Sequence, residues 1–186
     1  MGFGDCKKAL DDAGDDVDKA IEIIRKQSAV KAAKKADRTA SEGLLAVLVS
    51  ENGASGAMVE VNSETDFAAR NEHFIDFTNK AVNWVLEHGD TELDGLEAAR
   101  ERLVQIIGEN ISVRRAVRFV SPEGEVGSYR HANDRLGSLV EIQGGDASLG
   151  KEIAMHVAAM NPIVLSVDQM PEQVLQTERR IYEAQA

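Results

Sequence analysis

The sequence predicts an α+β fold, in which a small helical module precedes an antiparallel sheet that is packed with helices. Three observations predict it. Apolar residues recur at helical spacing over roughly the first 30 positions, β-type apolar runs begin near residue 44, and helical spacing returns after the strands. We place the helical module and a basic linker in residues 1–38, and a larger core that ends in a C-terminal helix in residues 39–186.

The predicted N-terminal module contains two short helices. We expect Asp5 to cap the first helix and Gly14 to end it. Asp15 and Asp16 begin the second helix, where carboxylates also suit the helix dipole. Its apolar residues Val17, Ile21 and Ile24 recur at helical spacing. Two such helices bury too little surface to be stable alone.

Residues 31–38 form a basic stretch in an otherwise acidic protein. Their Ala and Lys content predicts a helix that joins the module to the core. Two interpretations stay open: a solvated helical linker, or a contact arm for an acidic partner surface.

Five β-strands are predicted in the core. The runs at residues 44–49 and 57–61 flank a polar, glycine-containing loop, which is typical of a hairpin. Three further strands are expected at residues 111–120, 126–131 and 136–142, with turn residues between them.

Four helices accompany these strands. The first follows Phe67 and is roughly 20 residues long, and the second covers residues 93–107 and ends at Gly108. A third helix ends before Pro162. The last helix has Pro171 at its first position and runs to the C-terminus.

Composition limits the function. The chain has 186 residues and a formal net charge of −11, so a nucleic-acid backbone is an unfavourable partner. No apolar run approaches the roughly 18 residues that a membrane-spanning helix needs. The start lacks the features of a signal peptide, and the single Cys6 cannot form an internal disulfide. We therefore expect a cytoplasmic protein whose partner is a protein or a small molecule.

One motif resembles a phosphate-binding loop. Residues 145–151 match the first seven positions of a P-loop and lie between a predicted strand and a predicted helix. The eighth position is Glu152, where a hydroxyl should meet Mg²⁺, and Asp146 would repel phosphates. We interpret this segment as a glycine-rich turn.

Other chemical sites are poorly supported. No histidine has a second ligand at metal-binding spacing, so we predict no metal and no cofactor. The four histidines are His73, His88, His131 and His156. Cys6 is interpreted as a half-buried thiol without catalytic function. Glu64 and Asp66 lack a general-acid partner, so no catalytic residue is assigned.

Two features remain ambiguous on pattern alone. At residues 62–67 a strand ends in a polar run, and Phe67 follows an acid. Either Thr65 caps a helix under which Phe67 packs, or Phe67 is an exposed anchor for a partner. His156 is likewise either a core histidine or an interface histidine.

Several segments together resemble the bacterial translation elongation factor Ts family, and they occur in the family's order. They are Asp5-Cys6-Lys7-Lys8-Ala9-Leu10, Lys31-Ala32-Ala33-Lys34-Lys35-Ala36, Glu60-Val61-Asn62-Ser63-Glu64-Thr65-Asp66-Phe67, Gly108-Glu109-Asn110-Ile111 with Arg114-Arg115, Gly127-Ser128-Tyr129, and Ala154-Met155-His156-Val157-Ala158-Ala159.

The resemblance implies a guanine-nucleotide exchange factor that promotes GDP release from elongation factor Tu without covalent chemistry. It implies a partial ubiquitin-associated-like module followed by the N-terminal half of the core, so that the chain is a fragment. The segment that disturbs the Mg²⁺ site of the partner is expected at Thr65, Asp66, Phe67 and Ala68. Further partner contacts are expected at Leu136, Gly137, His156 and Phe3.

Partner and assembly are expectations of the same kind. Elongation factor Tu would be bound in both its GDP-bound and its nucleotide-free form, and a homodimer is left open. The alternative function is a protein-interaction adaptor without exchange activity.

Overall fold

The structure, a computed structural model, describes residues 2–185. The helices are α1 (Phe3–Asp12), α2 (Val17–Ala33), α3 (Asp66–Ala69), α4 (Glu72–His88), α5 (Glu97–Ile107), α6 (Ala147–Met160) and α7 (Glu172–Gln185). The strands are β1 (Glu42–Val49), β2 (Ser55–Ser63), β3 (Ile111–Val120), β4 (Glu125–Arg130) and β5 (Gly137–Ile142). Short 3₁₀ turns lie at Leu93–Leu96 and Val167–Gln169. The predicted α+β class is confirmed.

The start of α2 follows the prediction and the start of α1 does not. Asp16 caps α2, and its carboxylate accepts a hydrogen bond from the Lys19 backbone N at 3.1 Å. Gly2 occupies the N-cap of α1 without a side-chain bond, so the prediction that Asp5 caps this helix is wrong. Asp5 lies in the first turn instead and pairs with Lys31 at 3.3 Å. A carboxylate there still suits the helix dipole.

The basic stretch is only partly helical. Helix α2 ends at Ala33, and the following residues form turns. Ala32 is buried in the same apolar cluster as the core, and Gln105 of α5 donates to the Ser28 carbonyl at 3.2 Å. The module therefore packs directly against α5. The domain boundary after residue 38 stays a prediction.

The strands form two separate antiparallel sheets. One has the order β1-β2-β3, and the other contains β4 and β5. The sequence suggested a single sheet. Helix α6 covers the second sheet closely: a Cβ at Gly127 would lie 2.3 Å from the carbonyl carbon of Gly150. Only glycine on both elements allows the helix and the strand to approach this closely.

A β-bulge interrupts the pairing of β2 with β3. Glu60 pairs with Arg115 and Val61 with Val113, so Arg114 is the extra residue. Two residues of the bulged strand then oppose one residue of its neighbour. Arg114 and Arg115 consequently reach the two oxygens of the Glu60 carboxylate, at 2.8 Å and 2.6 Å respectively.

This triad predicts a pH-dependent contribution to stability. Burial alone would raise the pKa of Glu60, but hydrogen bonds from Arg114 and Arg115 outweigh it and hold the pKa below its ordinary value of 4.5. The ionised carboxylate therefore stabilises the fold at pH values above 4.5, and this contribution is lost as the pH falls through the lowered pKa.

We expect Glu60→Gln to lower the free energy of unfolding by about 1 kcal/mol at neutral pH, because both arginines are largely exposed. The difference from the parent should shrink in acid. Urea unfolding at several pH values measures it, with Glu123→Gln in an exposed turn as the control. A difference that stays constant with pH would contradict this role.

Helix α4 covers the three-stranded sheet and forms the main core. Its residues Phe74 and Val85 are fully buried and belong to one cluster with Val59 and Val61 of β2. The predicted helix of roughly 20 residues is in fact two helices. Asn71 separates them and caps α4 by accepting from the His73 backbone N at 3.0 Å.

No helix within residues 2–185 is both long and apolar enough to cross a membrane.

Candidate functional site

The end of β2 leads into a tight turn that presents a single aromatic ring. Across residues 61–69, all of which the structure describes, only Phe67 is exposed, at 79%. Its neighbours Ala68 and Ala69 are buried, at 5% and 2%. The interpretation in which Phe67 packs under the helix is therefore wrong. The side chain projects from a base that is itself buried.

Thr65 begins the short helix α3, as predicted. Its backbone is extended, and its hydroxyl oxygen accepts a hydrogen bond from the Ala68 backbone N at 3.2 Å. The Ser63 hydroxyl donates to the Thr65 carbonyl at 2.9 Å. The cap and the turn before it thus restrict the backbone on which Phe67 is carried.

Glu109, in the loop after α5, also holds this turn. Its two carboxylate oxygens accept from the Thr65 backbone N at 2.9 Å and from the Thr65 hydroxyl at 2.7 Å. Bonds of this kind to an ionised acceptor are short and strong. No role for Glu109 is predicted from the sequence. Its only sequence signal is its place beside Asn110 in one of the segments of the family resemblance.

A second carboxylate links the turn to the linker. Glu64 accepts from the Asn110 backbone N at 2.6 Å and lies 3.5 Å from Arg38. The Asn110 side chain, which is 6% exposed, donates to the carbonyls of Ala36 and Arg38. The turn, Asn110 in the loop after α5 and the linker are therefore one hydrogen-bonded unit.

Asp66 takes part in a local ion pair. Its carboxylate lies 2.8 Å from Arg70, one helical turn further on. The two carboxylates Glu64 and Asp66 therefore have different partners and do not form the facing pair that a glycosidase would need. Asp66 remains partly exposed beside Phe67 and is available to a partner.

The further predicted contacts lie elsewhere. Leu136 is 42% exposed and Gly137 starts β5, while Phe3 is 87% exposed on α1. His156 is exposed on α6, so the interpretation as a core histidine is wrong. A hydrogen bond from the Ser138 hydroxyl to the Ala154 carbonyl holds the start of β5 against α6. Leu136, Gly137 and His156 thus belong to one packed unit, whereas Phe3 and Phe67 are on other elements.

The glycine-rich segment has a structural role. Asp146 caps α6 by accepting from the Leu149 backbone N at 2.9 Å, so its carboxylate occupies the place that a phosphate would need. Gly150 allows the close approach to β4 described above. The interpretation as a turn is confirmed.

A reactive thiol and a metal site are the remaining candidates. Cys6 is exposed, not half-buried as predicted. In residues 2–185 no three His, Cys, Asp or Glu side chains are grouped so that they could hold a metal ion.

Comparison with known proteins identifies the family. A family model described as Elongation factor TS matches residues 64–186, which begin one residue before Thr65. The chain is 48% identical over 190 residues to Elongation factor Ts of Saccharophagus degradans, covering all of this chain and 66% of that protein. It is 47% identical to the protein of the same name from Alcanivorax borkumensis, covering 68% of it, and 46% identical to that of Arthrospira platensis, covering 78%. The chain spans about two thirds of the length of curated relatives such as those from Saccharophagus degradans and Alcanivorax borkumensis. It belongs to the elongation factor Ts family.

Proposed function

We propose that this chain promotes GDP release from elongation factor Tu by binding and that Phe67 is the group that acts on the nucleotide site. The observation that carries the proposal is the exposed ring of Phe67, which a hydrogen-bonded turn precedes and the buried residues Ala68 and Ala69 follow. A rigid aromatic with little conformational entropy to lose is well suited to enter a pocket of a partner. Family membership supplies the partner.

Acceleration of release requires only differential binding. An exchange factor must bind the nucleotide-free GTPase more tightly than the GDP-bound form, and this difference equals the loss of GDP affinity. Each 1.4 kcal/mol of difference is about tenfold in affinity. No covalent bond is made or broken, so the proposed action needs no catalytic residue and no cofactor.

The target of Phe67 would be the bound Mg²⁺ and the helices beside it. Mg²⁺ requires a nearly ideal octahedron of oxygen ligands and tolerates little distortion. A ring that displaces a neighbouring helix slightly is therefore enough to weaken Mg²⁺ and GDP together. Asp66, next to Phe67 and partly exposed, adds a negative charge at the same place.

The remaining contacts would dock the partner rather than act on the nucleotide. Leu136 and His156 are exposed near β5 and on α6, Gly137 begins β5 and is partly exposed, and Phe3 offers an apolar side chain on α1. Because these groups are on other elements than Phe67, they can hold the partner while the ring is inserted. The proposed place of action is the cytoplasm, where translation occurs.

Release of a fluorescent GDP analogue from elongation factor Tu tests the proposal. Addition of micromolar chain should accelerate release in a concentration-dependent and saturable way. If the chain binds elongation factor Tu without acceleration, it is an adaptor and the exchange function is wrong. If the chain neither binds nor accelerates release, the partner is wrong as well.

His156→Ala should weaken the complex with nucleotide-free elongation factor Tu by roughly three- to tenfold, the size expected for one exposed contact outside the centre of an interface. Titration calorimetry measures the affinity. Met155→Ala on the same helix, also exposed, is the matched control. Equal affinities for His156→Ala and the parent would show that His156 does not contribute to the interface.

A further inference from the structure

We propose that Glu109 is a positioning residue for Phe67, an inference that rests on the proposed exchange function. Its carboxylate accepts two hydrogen bonds from a single residue, Thr65, at 2.9 Å and 2.7 Å. Thr65 lies two residues before Phe67. Ala68, directly after Phe67, is restricted as well, because its backbone N donates a hydrogen bond to the Thr65 hydroxyl oxygen. The carboxylate thus fixes the segment that carries the ring.

The protons in this network have one consistent arrangement. An ionised carboxylate is an acceptor only, so the Thr65 hydroxyl must donate its hydrogen to Glu109. A lone pair of the hydroxyl oxygen is then left facing the Ala68 backbone N, which donates to it at 3.2 Å. Glu109 therefore holds the hydroxyl in the rotamer that caps α3.

Glu109 is itself held by the core. It follows Gly108, which ends α5 in the left-handed region with φ of 87°. Lys35 donates to the Gly108 carbonyl, and Asn110 is bonded to Glu64 and to the linker. The carboxylate is half-buried, which protects its bonds from exchange with water. The base of Phe67 is in this way connected to α5, a helix packed in the core.

A rigid base matters at one step of the proposed exchange. Docking depends on the separate contacts at Leu136, Gly137, His156 and Phe3, whereas insertion of Phe67 follows within the complex. If the turn were loose, its ordering cost would be paid during insertion. Loss of Glu109 should therefore lower the maximal rate of GDP release and leave the half-saturating concentration nearly unchanged.

The test compares Glu109→Ala, Glu109→Gln and the parent in the release of the fluorescent GDP analogue. We expect Glu109→Ala to lower the maximal rate about tenfold and to change the half-saturating concentration by less than about twofold. Glu109→Gln should be intermediate, because its amide oxygen still accepts one of the two bonds. Amide hydrogen exchange at Thr65 and Ala68 should be faster in Glu109→Ala. The control Glu123→Ala removes the same charge from an exposed turn.

The outcomes separate this inference from the function on which it rests. An unaccelerated parent reaction would show that the proposed function is wrong. An active parent with an equally active Glu109→Ala variant would overturn the positioning role. So would a decrease in rate that only follows a loss of folded protein, as judged by the fluorescence of Trp84, the single tryptophan.

Discussion

Phe67→Ala is expected to abolish most of the exchange activity and to leave the fold intact. The ring is 79% exposed, so its removal costs almost no buried apolar surface in the free protein. An aromatic anchor at the centre of an interface is worth about 2–4 kcal/mol, which corresponds to roughly 30- to 1000-fold in the rate of GDP release. Release of the fluorescent GDP analogue at saturating chain measures the loss.

The appropriate control is another exposed apolar side chain on a different element. Val120, at the end of β3, is 51% exposed, and Val120→Ala should retain full exchange activity. Urea unfolding should give the parent value within about 0.5 kcal/mol for both variants. Full exchange activity in Phe67→Ala would show that the ring does not act on the nucleotide site.

Local sequence patterns predicted much of the fold, because they depend on neighbours in the chain. The N-caps at Asp16 and Thr65 are short-range signals, and both are confirmed. The predicted bounds of β3 are those observed, since its β-type run lies between Asn110 and a proline turn. The strand set and the helix end at Gly108 follow for the same reason.

The exposure of Phe67 could not be read from the pattern. In one continuous helix, Phe67 and Phe74 are seven residues apart and would lie on the same face. The break at Asn71 removes that relationship, because α4 begins with a new cap. Phe74 therefore enters the core while Phe67 points into solvent.

Contacts between residues far apart in the chain could not be predicted from local sequence patterns either. Glu109 and Thr65 are 44 residues apart, and nothing in either local pattern indicates that they meet. The bulge that brings Arg114 and Arg115 to one carboxylate is equally a property of strand pairing. The division into two sheets is likewise a matter of strand pairing, and the close approach of α6 to β4 depends on two glycines, Gly127 and Gly150, that are 23 residues apart in the chain.

Phe74→Ala is expected to have the largest effect on stability. Phe74 is fully buried between α4 and the three-stranded sheet. Its truncation should lower the free energy of unfolding by about 3–5 kcal/mol, through lost burial and the cavity left behind. That is a large fraction of the roughly 5–15 kcal/mol typical of a domain. Urea unfolding followed by Trp84 fluorescence measures it, since the indole of Trp84 is bonded to the Glu92 carbonyl at 2.7 Å and reports on the folded state.

We expect opposite results for Phe74→Ala and Phe67→Ala when stability and GDP exchange are both measured. Phe74→Ala should reduce stability. The molecules that remain folded should promote GDP release from elongation factor Tu at the parent rate, because the hydrogen bonds of the turn at Thr65 do not involve the Phe74 ring. Phe67→Ala should reduce exchange alone. A Phe74→Ala variant with the parent's stability would contradict the core assignment. If its folded fraction instead lost exchange activity, the turn would depend on core packing as well as on its own hydrogen bonds.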